Sequence, residues 1–339
     1  MPAPLRETAR VDAVVIGRNE GARLIACLAS LQGRVRRIVY VDSGSTDGSL
    51  EVARTAGAEG VALDMAQPFS AARARNAGLR ALAGDPPDLV QFIDGDCSLQ
   101  PGWLASAIRF MDENPDIAVT CGRRREQFAQ ATIYNLLCDW EWNTPIGEAT
   151  ACGGDALIRH DPLSSIGGYR DDAIAGEEGE MCQRLRNAGW RVWRLDEEMT
   201  LHDAAITRLR AFWRRAVRAG HAFAQIGALH PGHYRAERWR AVFWAGLLPL
   251  AGLTIGLLLS PLPGAAGAAA LYGASMARMA GRLASQGFAP GQAARASGLL
   301  MLSKFANLQG MALYHWRRLR GASATIIEYK AGARAGGTG

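Results

Sequence analysis

The sequence has no CxxC pair and no cysteine–histidine ligand spacing, although it contains six cysteines. Its N-terminus has no charged and then apolar stretch of the secretory type. We therefore expect reduced cytosolic thiols that pack as small apolar side chains. The patterns GxGxxG after a first strand and GxxxxGK[ST] are also missing. Their absence removes the main support for a nicotinamide-binding fold or a P-loop.

The composition is that of a globular chain. Of the 339 residues, 49% are hydrophobic and 21% are charged, which excludes a fibrous, collagen-like or highly charged disordered chain. The length predicts two domains, or one large domain with an extension. The 38 basic and 32 acidic residues give a net charge of +6. This excess is too modest to imply nucleic acid, and it fits an anionic small substrate or an anionic membrane surface.

Short apolar runs alternate with helical patterns in the first half of the chain. The runs are 11–16, 37–41, 59–63, 89–93 and 117–121, and the helical patterns are 22–31, 50–55, 71–83 and 104–111. Val- and Ile-rich runs of this length are typical of strands buried on both faces. The alternation predicts an α/β fold, with a mostly parallel sheet and flanking helices.

The C-terminal part has a different pattern. Residues 241–262 contain no charge, and 22 helical residues are long enough to cross a bilayer core of about 30 Å. A turn at Pro261 and Pro263 leads into the small-residue run 265–277, and arginines flank both ends, which predicts a membrane hairpin over 241–279 with both ends cytoplasmic. Basic flanks around 297–316 favour an interfacial helix over a third span.

Polar segments follow three of the predicted strands, at 18–20, 42–48 and 94–96. Ligands of open parallel sheets bind at the carboxyl ends of the strands, although turn chemistry alone explains any one such segment. Asp94 and Asp96 can present oxygen ligands to Mg²⁺ or Mn²⁺, whose shells are commonly completed by substrate phosphates. Arg73 and Arg75 are candidate phosphate ligands, with a solvated helix face as the alternative.

A third cluster, Glu177, Glu178 and Glu180, opens a helical pattern. Acidic residues there compensate the helix dipole, or one of them acts as a general base toward a bound hydroxyl. His202 ends a later apolar run and is either a third metal ligand or a structural histidine.

Residues 11–227 resemble the inverting glycosyltransferases of family 2, whose nucleotide-sugar-binding fold is called GT-A. The resemblance rests on several motifs in order: Asn19-Glu20; 41–48 with Asp42 and Ser43; 72–78 with Arg73, Arg75 and Asn76; Asp94-Gly-Asp96 with 101–104; 152–155 with Gly153, Gly154 and Asp155, then 166–169; and Glu177-Glu178 with Leu185 and 189–190.

The resemblance implies roles for these residues. Asp42 is expected near the nucleobase or ribose, Arg75 near the diphosphate, Asp94 toward the ribose and metal, and Asp96 on the metal. Asn19, Glu20, Ser43, Arg73 and Asn76 are expected among the donor-binding residues, and Gly153, Gly154 and Asp155 on the acceptor side. Family members usually have Glu-Asp where this chain has Glu177-Glu178, so Glu178 inherits the base, with Glu177 or Glu180 as alternatives.

The implied activity is the transfer of a single sugar from a nucleotide sugar, with inversion and assisted by a divalent metal. A lipid-linked glycan at the cytoplasmic membrane face is the expected acceptor, in glycan or exopolysaccharide assembly. The QxxRW motif of processive members is absent, and 214–220 stands in its place. A processive synthase, a non-catalytic membrane scaffold and a nucleotidyltransferase are the alternatives.

The expected domain organisation follows from these segments. It comprises a catalytic domain over 1–227, a basic linker over 228–240, membrane helices over 241–320 and a tail over 321–339.

Overall fold

The structure, a computed structural model, describes residues 9–321 and residue 327. These residues divide into two compact units. The first contains the described residues up to Ala129 together with Cys138–Ala204, and the second contains Gln130–Leu137 together with the described residues from Ala205 onward. Nearly all of the tail expected at 321–339 lies outside the described residues. The domain boundaries expected from the sequence stay predictions.

The first unit is built on one mixed sheet with flanking helices. Its described strands are β1 (Val11–Gly17), β2 (Arg37–Asp42), β3 (Glu59–Ala62), β4 (Leu89–Asp94), β5 (Cys97–Leu99), β6 (Ile117–Glu126), β7 (Gly147–Glu148), β8 (Ala156–Arg159) and β9 (Arg191–His202). The strand order is β3-β2-β1-β4-β8-β6-β9-β5, and β7 pairs with β9. The helices are α1 (Ala22–Leu31), α2 (Ser49–Thr55), α3 (Ala71–Leu82), α4 (Trp103–Glu113), α6 (His160–Ser165) and α7 (Glu177–Asn187).

The strand directions confirm the α/β prediction for the first part of the sheet. Strand β1 runs parallel to β2 and β4, and β2 runs parallel to β3. The rest is more mixed than expected, because β8 is antiparallel to both β4 and β6, and β5 and β7 are antiparallel to β9. Only two residues separate β4 from β5, which leaves no room for the helical crossover that signals a parallel neighbour.

Burial explains why the strand-forming runs are apolar throughout. Val14, Val39 and Phe92, on three adjacent strands, are completely buried because helices cover both faces of the sheet. The described cysteines are all buried and none forms a disulfide, in agreement with their interpretation as small apolar side chains.

The second unit is helical. It comprises the first half of α5 (Ile133–Trp142), then α8 (Leu209–Leu229), α9 (Arg235–Val242), a π-helical segment (Phe243–Leu247), α10 (Leu248–Leu258), α11 (Pro261–Ser285) and α12 (Pro290–Leu319). Helices α9 and α10 are continuous through the π-helical segment. Among the described residues this continuous helix, Arg235–Leu258, is the one long and apolar enough to cross a membrane, with a mean hydropathy of 2.0 over its most apolar 18 residues.

Candidate active site

The polar strand ends meet at one edge of the sheet. In the strand register, Gly17 of β1 lies opposite Asp42 of β2, and Ile16 lies opposite Asp94 of β4. The carboxyl ends of β1, β2 and β4 therefore lie side by side at one edge of the sheet. In α/β folds, ligands bind at this edge. The predicted convergence of the three polar segments is present in the structure.

A buried arginine joins three segments that are distant in the sequence. Arg75 lies on α3, which begins where the side chain of Ser70 accepts a hydrogen bond from the backbone N–H of Arg73. The Arg75 guanidinium donates to Glu177 at 2.8 Å, to Asp94 at 2.9 Å and to the carbonyl of Gly154 at 3.2 Å. Its side chain is only 2% exposed. Arg75 thus connects the predicted donor, base and acceptor segments.

Arg124 on β6 is a second buried cation of the site. It donates to Asp94 Oδ2 at 2.9 Å and, through Nε, to Asp155 Oδ2 at 2.9 Å. Asp155 also accepts hydrogen bonds from Thr200 and from the backbone N–H of Asp94. Both carboxylate oxygens of Asp94 consequently face an arginine. Burial alone would raise the pKa of Asp94, but Arg75 and Arg124 outweigh it and hold that pKa well below its usual value.

Sequence reasoning did not identify Arg124, although a signal for it exists. Arg123, Arg124 and Arg125 are consecutive on β6, and successive side chains of a strand point to opposite faces. Arg123 and Arg125 pair with the exposed-side carboxylates of Asp196 and Asp139. The middle arginine must therefore point the other way, toward the site.

Asp96 and His202 form the second centre of the site. Asp96 follows β4, His202 ends β9, and Asp96 Oδ2 lies 3.1 Å from His202 Nε2. Trp142 stacks on the His202 ring, with ring centroids 4.7 Å apart, and fixes its plane. Burial and the charge of Arg124 lower the pKa of His202 to about 4. The imidazole is therefore neutral near pH 7, which is the form that ligates a metal.

These residues fit a hard divalent cation. Ligands in neighbouring positions of a six-coordinate Mg²⁺ or Mn²⁺ lie roughly 3 Å apart, which matches the Asp96–His202 spacing. The Nδ1 atom of His202 is buried and has no hydrogen-bond partner among the described residues, so the Asp96 contact alone does not satisfy this ring. Cys97 Sγ lies close by, but burial raises the pKa of this thiol, so it stays protonated.

The charge balance of the site points the same way. Four buried or partly buried carboxylates converge here, those of Asp94, Asp96, Asp155 and Glu177. Arg75 and Arg124 neutralise two of these charges, and His202 contributes none at pH 7. A site with this many converging carboxylates is suited to a cation.

The three acidic residues at the start of α7 have different environments. Glu177 Oε1 is bonded to Arg75, whereas Glu180 accepts two hydrogen bonds from Arg184, which also donates to the carbonyls of Ile166 and Gly168. Glu180 therefore fixes a loop. Glu178 is partly exposed, and burial together with the neighbouring Glu177 carboxylate raises its pKa to about 7.

The acceptor-side glycines make a close approach to this network. A Cβ at Gly154 would lie 2.7 Å from Asp94 Oδ2 and 3.1 Å from the Arg75 guanidinium. Gly153 has a positive φ of 81°, a conformation that other residues rarely adopt. The Gly153-Gly154 pair therefore allows its backbone to pass directly beside the ion pairs.

Several predicted donor-binding residues hold loops together at the same edge. Asp42 accepts hydrogen bonds from Tyr40 and from the N–H groups of Gly44 and Ser45, and Ser43 donates its N–H to Gly17. Asn19 accepts from the N–H of Thr46. Glu20 pairs with Arg23. These contacts shape the segments 18–20 and 42–48 into one surface.

Two others contribute to the wall of the site by binding backbone. Arg73 donates to the carbonyls of Asp64, Gln67 and Pro68, so its guanidinium closes the loop before α3. Asn76 is buried and bonds to the backbone of Tyr169 and to Asp171. The structure thus separates Arg75, which enters the ion-pair network, from Arg73 and Asn76, which do not.

Comparison with known proteins finds a family match for the first part of the chain. The sequence model of Glycosyl transferase family 2 matches residues 12–167. This part of the chain matches the family 2 glycosyltransferase domain. The match includes the polar strand ends, Arg75, Arg124 and the Gly153-Gly154 pair, and it confirms the resemblance seen in the sequence motifs.

Relatives of the family 2 domain agree with this. A pre-mycofactocin glycosyltransferase of Mycobacterium tuberculosis is 27% identical over 235 residues, which are 65% of this chain and 48% of that protein. The succinoglycan biosynthesis protein ExoA of Rhizobium meliloti is 23% identical over 211 residues, 58% of this chain and 64% of that protein. The chain thus matches about half to two thirds of the length of these relatives.

The fold has a solved counterpart. A mannosyltransferase from Pyrobaculum calidifontis, in complex with GDP-Man and Mn²⁺, has a TM-score of 0.57 and 19% identity, and the likeness covers 94% of this chain and 90% of that one. The likeness confirms the GT-A type of fold that the sequence motifs implied for the α/β unit.

Proposed function

We propose that this chain transfers a single sugar from a nucleoside diphosphate sugar to an acceptor hydroxyl, with inversion. The observation that carries the proposal is the convergence of three groups at one sheet edge. These are the Arg75 ion-pair network, the Asp96–His202 pair and the partly exposed Glu178. Each corresponds to a requirement of the reaction: charge balance near a diphosphate, a metal site, and a base whose pKa is near the working pH.

The residues divide the chemistry among themselves. With its pKa near 7, Glu178 is able to accept the proton of the acceptor hydroxyl as that oxygen attacks the anomeric carbon. Glu177 forms an ion pair with Arg75, and its carboxylate, together with burial, raises the pKa of Glu178. A single displacement of the diphosphate from the opposite face inverts the anomeric centre.

Asp96 and His202 are the residues that would hold Mg²⁺ or Mn²⁺, and such an ion, when bound, supplies positive charge for the departing diphosphate. Asp94 faces both arginines and so helps to position the positive charge of Arg75 and Arg124 beside the Asp96–His202 pair. The donor segments 18–20 and 42–48 lie level with this pair and offer the surface for the nucleoside.

We further propose that the acceptor is lipid-linked and that the chain works at the cytoplasmic face of the inner membrane. The apolar helix Arg235–Leu258 supports this, because only 11% of its most apolar window is buried within the chain. Holding the active site at a membrane raises its effective concentration toward a lipid-linked sugar. Glycan or exopolysaccharide assembly is the corresponding pathway type.

The experiment is donor turnover by the detergent-solubilised full chain. A panel of nucleotide sugars is supplied with Mg²⁺, with Mn²⁺ or with chelator, and with a membrane lipid extract as acceptor, and released nucleoside diphosphate is measured. We expect metal-dependent release from one donor, loss of release in Asp96→Asn, and near-normal release in the control Asp203→Asn. Absence of release from every donor would reject the transferase proposal.

A further inference from the structure

The positive charge of the chain is concentrated in the second unit. Residues 205–321 contain fourteen arginines and one lysine, but a single acidic residue, Glu237. Residues 9–204, in contrast, contain twenty arginines and twenty-nine acidic residues. The net charge of +6 therefore hides a negatively charged first unit and a strongly basic second unit. An anionic partner is therefore expected to bind the second unit.

The same unit exposes large apolar side chains at one place. Leu257, Leu258, Leu259 and Leu262, at the turn between α10 and α11, are 77–80% exposed. Leu250 and Leu253, on the preceding turns of α10, are each 60% exposed. An apolar tip of this kind on a basic helical unit fits a lipid bilayer with anionic headgroups.

The turn itself presents few unsatisfied polar groups. Pro261 and Pro263 have no N–H, so two of the four donors that a helix start leaves unpaired are missing at the start of α11. The N–H of Leu259 bonds to the carbonyl of Ile255, and the hydroxyl of Thr254 bonds to the carbonyl of Leu250. Such a turn is suited to hydrocarbon, where unpaired backbone groups are costly.

The length of the hairpin limits its depth. Trp244 and Tyr272 mark its base, because their rings are 5.8 Å apart and the Tyr272 hydroxyl donates to the Trp244 carbonyl. Leu259 lies fifteen positions after Trp244, and Tyr272 lies eleven positions after Pro261, which correspond to roughly 22 Å and 16 Å of helix. One leaflet of hydrocarbon is about 15 Å deep, half of a core of about 30 Å. With its aromatic base at the interface, the tip reaches the middle of the bilayer or slightly beyond it, and stays short of the far side.

Arginines surround this base. Arg235 and Arg240 precede the apolar part of the hairpin and are exposed, and Arg278 and Arg282 follow it and are exposed as well. In the part of the chain that the structure describes, Arg278 and Arg282 form no ion pair. Aromatic rings next to cationic side chains are typical of the headgroup level of a membrane.

We propose that the α10–α11 hairpin enters one leaflet of an anionic bilayer, with its Pro261 turn in the hydrocarbon and its arginines at the phosphate level. This rests on the membrane association proposed above and specifies it: the hairpin does not reach the far side, and anionic lipid is required. Both ends of the hairpin then lie on the same side of the membrane.

The depth is tested with a fluorophore on Ser260→Cys, in the full chain bound to phosphatidylglycerol-containing vesicles. Ser285→Cys, at the other end of α11, is the matched control, and the parent protein with its buried cysteines measures background labelling. We expect lipid nitroxides deep in the acyl chains to quench position 260 most strongly, and aqueous iodide to quench position 285 alone. Quenching of position 260 by iodide trapped inside the vesicles would mean a full crossing and would overturn the proposal.

The lipid requirement is tested with the double variant Arg278→Gln, Arg282→Gln. We expect binding to phosphatidylglycerol vesicles to weaken roughly thirtyfold, since each basic residue near such a surface contributes about a factor of five. Arg109→Gln, an exposed arginine of the first unit, is the control and should bind as the parent does. Equal binding of the double variant, or equal binding of the parent to neutral vesicles, would refute the anionic requirement.

These outcomes are separable from those of the transferase proposal. A chain that releases nucleoside diphosphate but binds no vesicle would refute the membrane inference alone. A chain that binds vesicles as expected but turns over no donor would refute the transferase proposal alone.

Discussion

The guanidinium of Arg75 lies 2.8 Å from the carboxylate of Glu177, although the two residues are 102 positions apart in the sequence. Both side chains are almost fully buried, at 2% and 3% exposure. Each ion therefore needs a charged partner within the protein, because water does not solvate either. Helices α3 and α7 are coupled through this contact.

Replacing Arg75 by methionine should destabilise the fold by about 3–5 kcal/mol, because Glu177 would lose its buried ion-pair partner and Asp94 would keep only Arg124. Urea unfolding measures this. The double variant Arg75→Met, Glu177→Gln should recover part of the loss, since the uncompensated charge of Glu177 is then absent. A loss below about 1 kcal/mol in the single variant would show that the ion pair is solvated.

Replacing Glu178 by glutamine should lower turnover by about 10²–10⁴-fold, which is the usual contribution of a general base. Glu178→Asp, which has the carboxylate that family members usually have at this position, should retain part of the activity. Glu180→Gln is the matched control, because Glu180 bonds to Arg184 and fixes a loop instead. The variants are compared by their single-turnover rates at saturating donor. A Glu178→Gln variant as active as the parent would mean that Glu178 is not the general base and would favour Glu177.

The pH dependence of kcat/KM should report the same group. Because the pKa of Glu178 is raised to about 7, the residue is protonated and inactive as a base below that pH. The rate should rise with pH and level off above about pH 7. In Glu178→Gln the residual activity should no longer rise with pH in this range. A rise in kcat/KM centred near pH 4.5, the ordinary pKa of glutamate, would contradict the proposed environment of Glu178.

The pH dependence of stability should have the opposite direction to that of the rate. The contribution of Glu178 to stability should decrease as the pH rises. Its pKa is higher in the folded chain than the ordinary value of 4.5, so the folded state favours the protonated form. This contribution is present below about pH 4.5 and is lost as the pH rises through 7. Glu178→Gln, which stays neutral, should therefore melt at a higher temperature than the parent at pH 8 and at a similar temperature near pH 4. Equal melting temperatures at both pH values would argue against the raised pKa.

Much of the fold was predictable because buried strands can be recognised from short apolar runs in the sequence. The runs that became β1, β2 and β4 are apolar along their whole length, since helices cover both faces of the sheet. The mixed part was not predictable. Strand β5 has only three residues and β7 only two, and their antiparallel pairing with β9 joins segments far apart in sequence.

The site shows the same contrast between local and distant information. Asp94, Asp96 and Arg75 stand out because each occurs in a recognisable motif, and the structure brings them to one edge. Arg73 looked equivalent to Arg75, but helix phase directs its guanidinium to the carbonyls of the preceding loop. Arg124 has no motif, and its role follows only from the partners that β4 and β8 place beside it.

The close approach at Gly154 gives the last prediction. Alanine there would place a Cβ 2.7 Å from Asp94 Oδ2, which must then move away from Arg75 and Arg124. We expect Gly154→Ala to lower the free energy of unfolding by about 1–3 kcal/mol, as overpacking of a close contact does, and to weaken donor binding as well. Gly84→Ala is the control, because a Cβ at Gly84 meets no atom within 4 Å. Urea unfolding and donor titration separate the two effects, and a Gly154→Ala variant as stable and active as Gly84→Ala would show that the ion-pair network tolerates displacement.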